Sequence, residues 1–191
     1  MGRIIVSENV TLDGVVEDPS GTEGFERGGW IGRIGDRGRD EAAKVALDEA
    51  LSTEAMLVGR RSYEFLAARW PARTGALADR LNSQPKYVVS STLQDPEWNN
   101  TTILSGDVVD AVSKLKDATT GDIVVPASIR LVRTLIEHDL VDELRLMVYP
   151  VVLGAGERLF GQTSHASHLG LVDTRTVDDL AYLTFQPIRE A

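Results

Sequence analysis

The sequence predicts an α/β fold with a mostly parallel mixed central sheet, helices on both faces and an antiparallel C-terminal edge. Three observations predict it. Unbroken apolar runs such as Ile4-Ile5-Val6, Met56-Leu57-Val58 and Ile123-Val124-Val125 read as strands covered on both faces. Segments with helical spacing alternate with these strands as far as residue 150. Two strands then finish the chain with no helix between them, which is the pattern of a hairpin.

Residues 3–7, centred on Ile4-Ile5-Val6, form the first strand, and Asp13-Gly14 is the turn signal after it. Residues 18–38 change character. Glycine recurs at 21, 24, 28, 29, 32, 35 and 38, interleaved with Phe25, Trp30 and Ile31. This predicts a long mobile loop whose aromatics suit a lid, with Trp30 lining a pocket. Residues 40–51 read as a helix with Ala43, Leu47, Ala50 and Leu51 on one face. After the strand Met56-Leu57-Val58 and the turn at Gly59, a helix without Pro or Gly runs to Trp70. A short helix is predicted over 75–81, and strands at Lys86-Tyr87-Val88-Val89-Ser90 and Thr101-Thr102-Ile103-Leu104. Asp107 is placed to cap a helix through Lys116, with Val108, Val109, Val112 and Leu115 inward. The strand Asp122-Ile123-Val124-Val125 turns at Pro126-Ala127-Ser128 into a helix over 129–138, with Leu131, Val132, Leu135 and Ile136 inward. In the long strand 142–150, Leu144, Leu146 and Val148 alternate with Arg145, Met147 and Tyr149. A glycine loop follows at 153–160. Residues 170–177 and 180–187 close the chain as a hairpin around Asp178-Asp179.

A length of 191 residues suits one domain spanning 1–191, and 42% hydrophobic with 26% charged residues suits a soluble globular chain. The absence of cysteine rules out disulfides and thiolate metal sites and fits a reducing cytoplasm. The N-terminus lacks a signal-peptide apolar region, and no segment approaches a membrane span, so no membrane partner is expected. A net charge of −9 argues against nucleic acid, which needs a broad basic face. A small anionic cofactor needs only a local one.

Such a local site can be read at Gly59. Glycine lets the chain turn tightly from strand to helix. The helix N-terminus then offers free N–H groups and a dipole that favours an anion. Arg60 and Arg61 add two cations and Ser62 a hydroxyl. These residues fit either a phosphate site or an ordinary turn with solvated arginines. Ligands of parallel sheets bind at the C-terminal strand ends. Two further stretches end strands in the same way: Ser90-Ser91-Thr92 and Ala127-Ser128-Ile129-Arg130. His138, His165 and His168 have neither cysteines nor an H-E-x-x-H frame, so no metal site is expected. Ser62, Ser90 and Ser128 lack a G-x-S-x-G elbow, which argues against a hydrolase.

Five stretches together carry a family resemblance. They are Thr11-Leu12-Asp13-Gly14-Val15, Val58-Gly59-Arg60-Arg61-Ser62-Tyr63-Glu64, Lys86-Tyr87-Val88-Val89-Ser90-Ser91-Thr92-Leu93, Leu140-Val141-Asp142-Glu143-Leu144-Arg145-Leu146 and the run from Pro150 to Phe160. In this order and spacing the chain resembles the dihydrofolate-reductase-like superfamily, whose fold has three layers. Within it, the chain is most similar to the C-terminal reductase domain of the riboflavin-biosynthesis protein RibD. The resemblance implies NADPH as hydride donor. It puts the Gly59–Ser62 backbone and Arg60 at the pyrophosphate and Ser90-Ser91-Thr92 near the adenosine 2′-phosphate. Asp13-Gly14-Val15-Val16 would border the nicotinamide, and the loop Ala127-Ser128-Ile129-Arg130 would take the remaining phosphate. The family usually has glycine at the positions of Ala127 and Ile129 and no proline at that of Pro126. Glycines there let backbone approach a phosphate closely, and Ser128 and Arg130 would have to compensate.

True dihydrofolate reductases carry a carboxylate on the helix before the Gly59-type strand. Asp36, Asp40 and Glu41 lie there, and as N-terminal helix charges they also suit the dipole. Asp40 is the catalytic and substrate-binding candidate, hydrogen-bonding or helping to protonate a pterin-like or pyrimidine-like ring. The expected activity is NADPH-dependent reduction of a small heterocycle. It would resemble that of 5-amino-6-(5-phosphoribosylamino)uracil reductase or dihydrofolate reductase, in a homodimer. The alternative is a degenerate, non-enzymatic nucleotide-binding or dimerisation module of the same fold, which the departure at 126–129 favours.

Overall fold

The computed structural model describes residues 1–188. Its strands are β1 (Arg3–Thr11), β2 (Ala55–Gly59), β3 (Lys86–Val89), β4 (Thr101–Leu104), β5 (Asp122–Pro126), β6 (Glu143–Tyr149), β7 (Leu169–Val177) and β8 (Leu180–Pro187). They form one mixed sheet in the order β4-β3-β2-β5-β1-β6-β8-β7. The pairs β2–β3, β2–β5 and β3–β4 are parallel, whereas β6–β8 and β7–β8 are antiparallel. The helices are α1 (Asp36–Ser52), α2 (Arg60–Ala67), α3 (Ala76–Ser83), α4 (Val108–Ala118) and α5 (Ile129–Glu137). This is the predicted α/β class, mostly parallel with an antiparallel edge.

The chain sorts into two compact units. The first comprises Met1–Val6 and Ala46–Asp142; the second comprises Ser7–Val45 and the chain from Glu143 onward. In the first unit, Met56, Val58, Tyr63, Leu81, Val88, Trp98 and Val124 share a buried core. The Tyr63 hydroxyl accepts the Trp98 backbone N–H, and the Trp98 indole donates to Asn82 Oδ1, so both polar aromatic groups are satisfied inside it. Asp107 caps α4 as the sequence predicts, accepting the Asp110 N–H at 2.9 Å. Lys86 is fully buried at the start of β3. Its ammonium donates to the carbonyls of Asn82, Gln84 and Asn99 and lies 4.4 Å from the Trp98 ring centroid.

In the second unit, Trp30 packs with Val15, Met147, Tyr149, Leu153, Val177, Leu180 and Tyr182. Three expectations are corrected here. β1 continues through Thr11, beyond the predicted end at residue 7, because Glu8-Asn9-Val10-Thr11 stay extended. The glycine-rich segment is not a free loop. Asp18, buried, takes the N–H groups of Thr22 and Phe25 on its carboxylate and those of Gly21 and Gly29 on its carbonyl. Residues 21–29 are thereby gathered around one side chain. Helix α1 begins at Asp36, and its inward residues include Ala42, Val45 and Ala50, whereas Ala43 is exposed and Leu51 is 62% exposed. In β6, Leu144, Leu146, Met147 and Tyr149 are all buried, so both faces of that strand are covered.

Candidate functional site

Three strand ends predicted to carry phosphate contacts come together in the first unit. Gly59, the last residue of β2, pairs in register with Val89 of β3, which puts the Ser90 turn beside it. On the other side of β2, the Gly59 N–H donates to Ser128 Oγ at 3.0 Å, tying the end of β2 to the loop after β5. At β3, Ser90 Oγ accepts the N–H groups of Thr92 and Leu93 and folds the hydroxyl run into a turn. Arg60 crosses to that turn, its Nη1 donating to Thr92 Oγ1 at 2.8 Å, while its Nε lies 3.6 Å from Glu64. Arg61, Ser91, Ala127 and Arg130 are exposed; Ser62 and Ile129 are half-buried.

Neither helix that starts here has a side-chain cap. α2 opens from Gly59 and α5 from Ser128, with no side-chain hydrogen bond at the cap and no acidic residue in the first turn. Their leading N–H groups and dipoles are thus left for an external anion. A Cβ placed on Gly59 would meet nothing within 4 Å, so the ground over this turn is open. The positive φ values fall at Ala127 (51°) and Ser128 (65°), not at Ile129, which begins the helix. A left-handed residue followed by a helical one turns successive N–H groups into a concave anion nest.

In the second unit the Asp13-Gly14 turn is clamped to the loop at 153–159. Asp13 accepts the Thr11 hydroxyl at 2.7 Å, the Leu153 N–H at 3.2 Å and the Gly154 N–H at 2.8 Å. These bonds, the Thr11 hydroxyl first, hold its carboxyl down at about 2. Gly14, at φ 84°, accepts the Leu159 N–H on its carbonyl. Gly156 must be glycine, since a Cβ there would stand 2.8 Å from Val15 Cγ1 and 3.0 Å from Phe25.

Against known proteins, the model of the RibD C-terminal domain matches residues 3–182. The chain belongs to the RibD C-terminal domain family. A curated relative is the uncharacterized protein YyaP of Bacillus subtilis (strain 168), 30% identical over 179 residues, which are 91% of this chain and 88% of YyaP. Among solved structures, a protein of Shewanella sp. PV-4 provisionally assigned to riboflavin biosynthesis superposes with a TM-score of 0.76 at 20% identity, covering 99% of this chain and 100% of its own. A pyrimidine reductase-like protein of Corynebacterium diphtheriae gives 0.64 at 13% identity, over 99% and 93%. These likenesses show the dihydrofolate-reductase-like fold.

Three more residues predicted to contact cofactor or substrate are placed as follows. Val15 is fully buried, its N–H donating to Thr11 Oγ1 and its carbonyl accepting the Thr11 N–H. Trp30 is a core residue rather than a pocket wall. It is 1% exposed, its indole donates to the Glu17 carbonyl, and its ring meets Tyr149 edge-on at 5.1 Å. Asp40 is exposed on α1, where its charge acts on Lys44. It sits as a solvated carboxylate in the second turn of the helix rather than one enclosed around a ring. Two contacts escaped the sequence reading because both join distant loops through backbone: Gly59 to Ser128, and Asp13 to Leu153 and Gly154. The glycines at 154 and 156 were the only local hint of the second.

Proposed function

We propose that the protein is an NADPH-dependent reductase of a small heterocyclic substrate. The observation that carries this reading is the pair of uncapped helix N-termini, α2 and α5, at the ends of neighbouring parallel strands and bridged by the Gly59–Ser128 bond. Two such termini beside Arg60, with open ground over Gly59, suit the separate phosphates of a dinucleotide. The hydrogen bond from Arg60 to Thr92 puts its guanidinium at the Ser90 turn, so Arg60 reads the 2′-phosphate and the helix N–H groups hold the pyrophosphate. When bound, NADPH supplies the hydride; the chain's part is to orient it and exclude water. The substrate class, a pterin or a pyrimidine, follows the family, as does action in the cytoplasm.

A second reading, a nucleotide-free relative of the same fold, is favoured by Ala127. It puts a methyl group on a left-handed residue of the nest where glycine would leave room. Calorimetry with NADPH, NADH and the Arg60→Ala variant separates the two. The reductase reading expects micromolar NADPH binding, about −8 kcal/mol. It also expects much weaker NADH, and a loss of at least about tenfold in the variant, about 1.4 kcal/mol. No binding of either nucleotide at millimolar concentration establishes the second reading.

A homodimer is the proposed assembly. Leu171 pairs across from Phe185 and Leu169 from Pro187 on one face of the edge hairpin. Leu169 and Leu171 are exposed, and Phe185 is half-exposed.

A further inference from the structure

We propose that Tyr149 is a substrate-binding residue of the second unit, its hydroxyl donating a hydrogen bond to a carbonyl oxygen or ring nitrogen of a flat pyrimidine-like or pterin-like ring. Calling that ring the substrate rests on the reductase reading; its binding does not. Tyr149 ends β6 and is 4% exposed. A tyrosine so far inside a protein ordinarily gives its hydroxyl a partner. Tyr63 does so, accepting the Trp98 N–H. The Tyr149 hydroxyl bonds no group among the described residues, and burial alone acts on its titration, pushing it up to about 12. Its oxygen is not sealed in either, unlike the Gln84 amide, which is unpartnered and fully enclosed. The little of Tyr149 that meets solvent therefore includes its donor.

The ring that carries this hydroxyl is held in place. Trp30 meets it edge-on at 5.1 Å and is itself fixed by its indole bond to the Glu17 carbonyl. Val15 and Leu153 belong to the same packed cluster. Packed against that cluster, Phe25, Ile31, Ile34, Val45 and Val151 are only half-buried, which leaves it an apolar rim. Apolar walls with one fixed polar group are the make-up of a small-molecule site. The hydroxyl keeps its proton at neutral pH, so it offers a donor. Pterins and pyrimidines answer both features, with flat faces for the rim and carbonyl or ring-nitrogen acceptors at their edges. A ligand without an acceptor would bury the hydroxyl unpaired, which gives the site a means of discrimination.

Calorimetry of the whole chain tests it, with folate and 5-aminouracil as probes, each with and without NADPH. Saturable binding of at least one probe is expected in the wild type. Tyr149→Phe, which removes the hydroxyl alone, should weaken that binding about five- to tenfold. The variant should keep the wild-type thermal midpoint at neutral pH, because it loses no hydrogen bond within the described residues; a hydroxyl with a structural role would lower it. In the wild type labelled with 13C-tyrosine, the Cζ resonance that the variant lacks should shift saturably as probe is added. NADPH titrated alone reports the nucleotide site and should be unaffected by the variant, so failure of the cofactor reading and failure of this one appear in different titrations. Equal probe binding by the variant, no saturable binding of either probe, or a lowered midpoint overturns the proposal.

Discussion

Ala127 and Ser128 hold left-handed backbone with side chains attached, which costs L-residues roughly 1–2 kcal/mol each. Ala127→Gly relieves one of them, offset by glycine's extra entropy when unfolded. The expected gain is about 0.5 kcal/mol in urea unfolding, together with tighter NADPH binding. Ser128→Ala keeps the backbone problem and removes the acceptor of the Gly59 N–H, so a loss of about 1 kcal/mol is expected in the same assay. Asp13 gives a pH signature. Its folded carboxyl titrates at about 2 against an ordinary 3.8. The stability it contributes is therefore complete above the ordinary value and is lost as pH falls toward 2, amounting to about 2 kcal/mol. Urea midpoints measured down that range should fall in the wild type, and the part due to Asp13 should be missing in Asp13→Asn.

The helices differ in how they begin. α4 carries its own cap in Asp107, whereas α2, α3 and α5 have none, and of these three only α2 and α5 also lack an acidic residue in the first turn. The connection from α3 to β3 is built on a buried cation. Burial, with Arg80 nearby, pushes the Lys86 ammonium down from 10.5 to about 8. Between those values the unfolded chain holds a proton that the folded chain has lost, so stability rises with pH through that window. Burial of Tyr149 works the other way. Its hydroxyl is pushed up from 10.0 to about 12, and stability it contributes below 10 is lost above it. Thermal unfolding across pH 8–12 should therefore show a rise and then a fall. Lys86→Met should remove the rise, the measurement that decides it.

The central strands were legible because unbroken apolar runs are confined by their length, and the cap at Asp107 by its position before Val108. Other features resisted reading. Ala50 faces inward as predicted, yet Ala43 and Leu51 are exposed and Val45 turns inward, since tertiary packing chooses among overlapping stripes. The glycines of 21–38 carry no mark of Asp18, whose hold on them runs through backbone amides. Lys86 opens a predicted strand, and nothing in its neighbours marks that carbonyls from three residues enclose its ammonium.

At the scale of the whole molecule, β7 ends the sheet with Leu169, Leu171 and Val172 exposed. An edge of nine residues with apolar side chains invites pairing unless it is covered. Leu171→Lys should leave the fold intact, since Leu171 is 55% exposed, and shift sedimentation from dimer to monomer; a wild type already monomeric would refute the dimer.

The sheet order also bears on how the chain is made. β1 leaves the ribosome well before its neighbours β5 and β6, which begin only at Asp122 and Glu143. Ile4, Ile5 and Val6, wholly buried in the finished protein, must wait with neither neighbour beside them until those strands are made. During that interval the nascent chain displays an apolar, sheet-forming segment, the kind that chaperones hold and aggregates recruit.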